Sequence, residues 1–175
     1  MIQNRRSIRI KGYNYSQKGI YFITLCCQDK EHFFGEILND KMILNEFGKI
    51  IKEEWEKSPI IRTNISLGEF IIMPDHFHAI LQIDYQITHK ENYIPNQFKS
   101  PSQTIGAIIR GFKGATTTRI KKLNSISTGE SQFAPTQAKK IWQRNYFEKI
   151  IRDQKAYDNI TQYIIDNPKK WKKEK

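Results

Sequence analysis

The amino-acid sequence predicts an α+β domain, in which an antiparallel sheet carries helices on one face and an additional helix follows at the C-terminal end. Short runs rich in β-branched and aromatic residues predict the strands. Longer segments with apolar residues at helical spacing predict the helices. Their order along the chain is strand, helix, strand, strand, helix, strand and helix. This order matches the split βαβ arrangement of ferredoxin-like and RRM-like sheets, and the terminal helix is the one element that the arrangement does not need.

A chain of 175 residues is long enough for one domain with a substantial core. We therefore interpret residues 1–175 as a single domain. Within it, we expect a basic arm over residues 1–18, a mobile internal loop over 124–140 and a lysine-rich tail over 168–175.

The first half of the chain predicts a strand, a short hairpin and a helix. Residues 20–27 predict a central strand, and residues 33–44 predict a hairpin that turns at an Asn-Asp pair. Asn45 is suited to cap a helix that ends at Pro59. The stripe of this helix that is predicted to face the core consists of Phe47, Ile50, Ile51, Trp55 and Ser58.

The second half predicts two further helices and one more extended segment. Ser102 is suited to cap a helix, and residues 141–147 predict a strand or extended segment. Asp153 is suited to cap the last helix, which we expect to stop at Pro168. The first of these helices has a predicted core stripe of Ile105, Ile108, Ile109, Phe112, Thr116 and Ile120.

A hairpin at residues 65–83 places two histidines side by side. Its returning strand begins after a Pro-Asp turn and reads HFHAILQI. Because side chains alternate along a strand, His76 and His78 share one face, about 7 Å apart, while Phe77 points to the other face. Two neutral imidazoles are good metal ligands, but two are too few to hold an ion alone. An exposed pair that binds no metal is the alternative.

The last helix offers candidates for the remaining parts of a site. Tyr163 and Asn167 are four residues apart and therefore lie on one helix face. If that face covers the histidines, Asn167 can supply an oxygen ligand and Tyr163 can attack a phosphate bound to the same ion, keeping the 5′ phosphate as a phosphotyrosine. Tyr146 and Tyr157 are rival nucleophiles, and a helix C-cap is the alternative for Asn167.

The charge of the chain indicates a polyanionic partner. The net charge is +11 and the pI is about 9.6, which favours nucleic acid over other partners, although a solvated lysine-rich surface is the alternative. The candidates for DNA contacts are Arg110, Lys113, Arg119 and Arg144 for phosphates and Tyr146 for a base or a phosphate.

The sequence also predicts the compartment. It contains no run of eighteen apolar residues and no apolar segment after its basic N-terminus, so we expect a cytoplasmic protein that does not contact membranes. Cys26 and Cys27 are adjacent on a predicted strand and point to opposite faces, which predicts free thiols.

Three segments resemble the REP-associated tyrosine transposases, a family within the single-tyrosine HUH transposases and nucleases. They are MPDHFHAIL, IWQRNYFEKIIRD and YIIDNPKKW, in that order. The resemblance implies that His76 and His78 are the two metal-binding histidines of the HUH motif. It implies that Tyr163 is the nucleophile and that the Asn167 amide completes the metal site.

The resemblance further implies cleavage and rejoining of single-stranded DNA, often at a hairpin, with Mg²⁺ or Mn²⁺ as the cofactor. Some members of the family are homodimers that exchange the tyrosine helix, and others are monomers. Two other hypotheses stay open at this point. One is a non-catalytic module that binds single-stranded nucleic acid on the same fold. The other is a zinc hydrolase, which would need a third histidine or a carboxylate as a ligand.

Overall fold

A computed structural model describes residues 13–87, 104–128 and 140–171. The predicted cap Ser102 and the ends of the predicted arm and tail lie outside these residues. The elements in chain order are β1 (Gly19–Cys26), β2 (Gly35–Leu38), β3 (Lys41–Leu44), α1 (Glu46–Glu56), α2 (Ser58–Ile61), β4 (Ile65–Ile72), β5 (His76–Ile83), α3 (Ile105–Thr128), β6 (Phe147–Ile151) and α4 (Gln154–Lys170). A short 3₁₀ turn, Gln28–Lys30, follows β1.

The main sheet has four strands in the order β4-β5-β1-β6, and every neighbouring pair is antiparallel. Strands β2 and β3 form a separate two-stranded hairpin. The predicted α+β fold with a split βαβ sheet is confirmed, because β1 and β5 occupy the centre and the later strand β6 returns to the free edge of β1.

One face of the main sheet holds the larger hydrophobic core. The inward residues of β1 and β5 pack there with α1 and α3, and Trp55 of α1 contacts the rings of Phe77 and Phe112 at centroid distances of 5.0 and 5.2 Å. The six predicted stripe residues of α3 are all buried. Helices α1 and α3 therefore lie on the face that Phe77 enters, which leaves the histidine face of β5 for another partner.

Helix α4 covers the opposite face of the sheet. It packs on a small cluster made of Phe22, Ile80, Ile151 and Ile164, which is separate from the larger core. The predicted cap is present, since the Asp153 carboxylate accepts a hydrogen bond from the Ala156 amide at 2.8 Å. The additional helix is thus the element that approaches the face of His76 and His78.

Gly68 permits the close approach of α4 to the sheet. It lies where the register of β4 shifts against β5, and a Cβ atom there would be 2.9 Å from Ile80 Cβ and 3.0 Å from the Tyr157 hydroxyl oxygen of α4. Both neighbours are held in the small cluster that joins α4 to the sheet. The position therefore has no room for a side chain.

We expect Gly68→Ala to lower the free energy of unfolding by about 1–3 kcal/mol, because overpacking forces Ile80 and α4 apart. Chemical denaturation measures this change. Gly114→Ala is the matched control, since no atom lies within 4 Å of a Cβ at this exposed position in α3. There alanine should stabilise by about 0.5–1 kcal/mol. Equal effects of the two substitutions would contradict the close packing of α4.

The predicted hairpin, β2–β3, and the predicted cap of α1 are both confirmed. Asn39 and Asp40 both adopt positive φ angles, 48° and 60°, as a two-residue turn of this kind requires. The Asn45 side chain accepts a hydrogen bond from the Gly48 amide at 3.0 Å and caps α1. Pro59 lies in the short helix α2, directly after α1 ends at Glu56.

Two predicted boundaries are wrong. Helix α3 continues to Thr128, so the first five residues of the predicted loop 124–140 are helical. The Ser125 hydroxyl donates to the Lys121 carbonyl, which satisfies a polar side chain inside the helix. Pro168 lies within α4, which ends at Lys170. A proline in the last turn removes only one intrahelical hydrogen bond, and the Trp171 amide closes the end by donating to the Pro168 carbonyl.

The last strand begins later than predicted. Residues 141–146 form no regular strand and pair only through an isolated bridge between Trp142 and Cys27, and β6 begins at Phe147. Lys113 donates to the carbonyls of Gln143 and Asn145, each at 2.9 Å, and so holds this segment against α3 before the chain joins the sheet.

Both cysteines are free, as predicted. Among the residues that the structure describes, no helix is both long enough and apolar enough to cross a membrane.

Candidate active site

The two histidines of β5 come together beneath α4. His76 and His78 stand two residues apart on the strand, and their ring centroids are 4.6 Å apart. His78 is only 5% exposed, and the His76 side chain is 13% exposed. On the neighbouring strand β1, Cys26 pairs with His76 and Thr24 pairs with His78. The pair therefore lies largely buried on the face of the sheet that α4 covers.

Hydrogen bonds orient each imidazole through its Nδ1 atom. His76 Nδ1 lies 2.5 Å from the Asp75 carboxylate, and His78 Nδ1 lies 2.8 Å from the Thr24 hydroxyl oxygen. A partner at Nδ1 fixes the ring, and where Nδ1 carries the proton, Nε2 presents its lone pair. Both histidines are therefore oriented as metal-binding histidines usually are.

Burial keeps His78 neutral. Desolvation, helped by the nearby charges of His76 and Lys30, lowers the pKa of His78 from its ordinary value of 6.5 to about 3. For Asp75, burial raises the pKa, but the hydrogen bond and charge of His76 outweigh it and hold the pKa below its ordinary value. At neutral pH the site therefore contains a neutral imidazole at His78 and a carboxylate behind His76.

The His78 pKa predicts that the metal-free protein loses stability in mild acid. Below about pH 6.5 the unfolded chain binds a proton at His78 that the folded protein binds only near pH 3, so the free energy of unfolding falls as the pH falls. From pH 7.5 to pH 5 this loss should be about 2 kcal/mol. Denaturation in EDTA across that range measures it. His78→Gln should flatten the profile, and parallel profiles of the two proteins would contradict the prediction.

Helix α4 brings the predicted tyrosine to the histidines. The Tyr163 hydroxyl oxygen lies 3.3 Å from His78 Nε2, and the two rings are 5.3 Å apart. Tyr163 is 41% exposed, so part of its side chain is open to solvent. Phe22 supports both rings, with centroids 6.1 Å from Tyr163 and 5.3 Å from His78. The structure thus places Tyr163, His76 and His78 in one site.

Asn167 lies one turn after Tyr163 and is 8% exposed. A buried amide normally makes a hydrogen bond or binds a ligand. Two imidazole Nε2 atoms and this amide oxygen are a donor set that fits a divalent ion with open positions. No group of three His, Cys, Asp or Glu side chains placed to hold an ion occurs in residues 13–87, 104–128 and 140–171.

The chain is similar to two known proteins over most of its length. No protein-family model matches the chain. It is 42% identical over 180 residues to an uncharacterised protein of Haemophilus influenzae, and 99% of this chain and 93% of that protein are covered. It is 26% identical over 160 residues to another H. influenzae protein, provisionally named a REP-associated tyrosine transposase, with 90% of this chain and 74% of that protein covered.

A solved structure of a REP-associated tyrosine transposase bound to a REP hairpin has the same fold. Its TM-score is 0.55 at 17% identity, and 93% of this chain and 74% of that chain are covered. The chain is thus similar in sequence to one protein that carries this family's name and similar in fold to another. The family resemblance predicted from the three sequence segments is thereby confirmed.

The other candidate tyrosines lie away from the histidines. Tyr146 packs against the larger core on the opposite face of the sheet, with Lys113 Nζ 5.8 Å from its ring centroid. Tyr157 packs in the small cluster beside Gly68. Of the three tyrosines, Tyr163 is the one in contact with a site histidine.

The predicted DNA-contacting residues are dispersed. Arg119 forms ion pairs with Glu53 and Glu54 at 2.6 and 2.7 Å. Lys113 is held by backbone carbonyls, and burial lowers its pKa to about 8. The side chains of Arg110 and Arg144 are exposed. The structure does not gather these residues around Tyr163, and their roles in binding DNA stay predictions.

Two aromatic residues near the site were not predicted from the sequence. The Trp171 ring, at the end of α4, lies 5.8 Å from His76 and 5.5 Å from His32. It therefore packs the end of α4 against His76 of β5. A tryptophan directly after the NPKK segment was the only available signal, and His32 had no partner at an informative sequence spacing.

Proposed function

We propose that this protein is a metal-dependent endonuclease and strand transferase that acts on single-stranded DNA through Tyr163. The observation that carries this proposal is the 3.3 Å contact between the Tyr163 hydroxyl and His78 Nε2, beside a second oriented histidine. A module that only binds nucleic acid needs no such arrangement of a phenol over two imidazoles. The same arrangement favours the enzyme over a zinc hydrolase, since its third donor is an amide.

In the proposed reaction, the Tyr163 oxygen attacks phosphorus and the bond from phosphorus to the 3′ oxygen breaks. The protein keeps the 5′ phosphate as a phosphotyrosine, and the 3′ hydroxyl leaves with a proton. Because the pKa of His78 is near 3, this imidazole is a poor base, and the phenol proton passes to water at the exposed side of Tyr163. Attack by a 3′ hydroxyl on the phosphotyrosine rejoins the strand.

The residues that would hold the ion are His76, His78 and Asn167, with Mg²⁺ or Mn²⁺ as the proposed cofactor. When bound, the ion supplies Lewis-acid polarisation of the scissile phosphate. Asp75 and Thr24 hold the two imidazoles in orientation through Nδ1. Trp171 and Phe22 hold the rings from either end of the site.

The proposed substrate is a DNA hairpin with single-stranded flanks. The net charge of +11 favours a polyanion, and a structural relative was solved bound to a REP hairpin. Lys170 Nζ lies 5.9 Å from the Tyr163 ring centroid and brings positive charge to the rim of the site. These observations support DNA as the partner. A homodimer and a cytoplasmic location remain predictions from the sequence.

The test is to incubate the protein with labelled hairpin DNA from the flanks of its own gene, with Mn²⁺, and to separate the products on a denaturing gel. We expect a covalent adduct that EDTA abolishes and that peptide mapping locates to Tyr163. An adduct at Tyr146 would keep the reaction class and contradict the assigned nucleophile. Binding of the hairpins without any adduct would favour the non-catalytic module.

A further inference from the structure

Lys30 lies beside the histidines but belongs to neither β5 nor α4. It ends the 3₁₀ turn after β1, and its Nζ is 3.8 Å from the Cys26 sulfur. Cys26 is the cross-strand partner of His76 and shares the α4 face with Thr24, because the two residues are two apart on β1. The ammonium group of Lys30 therefore lies next to the cross-strand partner of His76, on the same face of the sheet as both histidines.

The backbone holds Lys30 in an uncommon conformation. Asp29 and Lys30 both have positive φ angles, 54° and 57°. L-residues other than glycine adopt this conformation rarely and at a cost in free energy, and such residues are concentrated at functional sites. Here the two left-handed residues turn the chain back toward β1, and the lysine side chain extends over Cys26.

The charge of Lys30 is available to a ligand. Among the residues that the structure describes, no carboxylate forms an ion pair with it. Its field nevertheless reaches the site, because its charge helps to lower the pKa values of both His78 and Asp75. Lysines on the exposed faces of α1 and α4 differ in this respect, since Lys49, Lys57 and Lys169 each pair with an acidic residue on the same helix or its cap.

We propose that Lys30 is a catalytic residue that contacts the scissile phosphate and stabilises the negative charge that develops during attack by Tyr163. This rests on the proposed function. The proposed metal ligands, two imidazoles and an amide, carry no charge, so a fixed cation at the edge of the site would supplement the bound ion. An ammonium group aimed at the phosphate oxygens acts most strongly in the transition state, where their charge is greatest.

The test compares Lys30→Met with Lys30→Arg and Lys18→Met in the full-length protein. Methionine is unbranched like lysine, so the backbone at this position is disturbed little. Lys18 is an exposed lysine before the other end of β1, about 25 Å away by strand rise, and its substitution removes the same charge. The measurements are the single-turnover rate of adduct formation at saturating hairpin DNA with Mn²⁺, and the Kd for the same DNA in EDTA by fluorescence anisotropy.

We expect Lys30→Met to lower the rate by about 10- to 100-fold while its Kd changes by less than about 3-fold. Lys30→Arg should recover most of the rate, and Lys18→Met should leave it unchanged. An equal loss in Lys18→Met, or a wild-type rate in Lys30→Met, would overturn the role of Lys30 and leave the proposed function standing. Failure of the wild-type protein to form any adduct would overturn the proposed function and this inference together.

Discussion

Replacing Tyr163 by phenylalanine is expected to abolish the covalent adduct and strand cleavage, with a loss of at least about 1,000-fold in rate. The substitution removes only the hydroxyl oxygen that lies 3.3 Å from His78 Nε2. The ring keeps its contacts with Phe22 and His78, and the residue is 41% exposed, so the fold should be unaffected. Adduct yield on a denaturing gel and hairpin affinity by anisotropy are the measurements. The affinity should change little.

Tyr157→Phe is the matched control for this experiment. It removes the hydroxyl of a tyrosine on the same helix that packs beside Gly68 instead of a histidine. Its adduct yield should equal that of the wild-type protein. If Tyr163→Phe still forms the adduct, or if Tyr157→Phe loses it, Tyr163 is not the nucleophile.

Replacing His76 by alanine is expected to remove the response of the protein to Mn²⁺. A ligand at 100 times its Kd raises the free energy of unfolding by about 2.7 kcal/mol, whereas at its Kd the gain is only about 0.4 kcal/mol. Loss of one of three proposed donors should weaken Mn²⁺ binding at least about 100-fold. The stability gained from Mn²⁺ should therefore fall from about 2.7 kcal/mol toward about 0.4 kcal/mol. Chemical denaturation with Mn²⁺ and with EDTA measures this gain within each variant.

His32→Ala is the control, because His32 contacts the same Trp171 ring but is not a proposed ligand. Its Mn²⁺ gain should match that of the wild-type protein. The comparison with EDTA within each variant separates metal binding from any loss of stability that follows when Asp75 loses its partner at His76. A full Mn²⁺ gain in His76→Ala would contradict the proposed metal site.

Local sequence patterns were sufficient for most of the fold and for the pairing of the site residues. The alternation HFHAILQI predicted the histidine face of β5, and the spacing of Tyr163 and Asn167 predicted their shared helix face. The caps Asn45 and Asp153 were also predictable, because a cap acts within three residues of its own position. These features depend on periodicities of two or 3.6 residues and on local hydrogen bonds.

Other features depend on contacts that are distant in the sequence. Lys113 and Cys27 hold the segment over residues 141–146 in place, and neither contact can be predicted from local propensity. The proposed role of Lys30 depends on a left-handed turn of non-glycine residues, which sequence patterns do not favour. Trp171 and His32 meet only because the end of α4 crosses the sheet.

The separation of the two apolar clusters has a consequence for the cooperativity of the molecule. Helix α4 is attached to the sheet through Phe22, Ile80, Ile151 and Ile164, while the larger core lies on the other face with α1 and α3. Detachment of α4 exposes the smaller cluster alone and therefore costs less free energy than global unfolding. Tyr163, the proposed nucleophile, is thus carried on the less tightly bound layer, and the histidines are carried on the main sheet. In the proposed reaction, a DNA end held on Tyr163 would accordingly move with α4 while the sheet and the larger core stay folded.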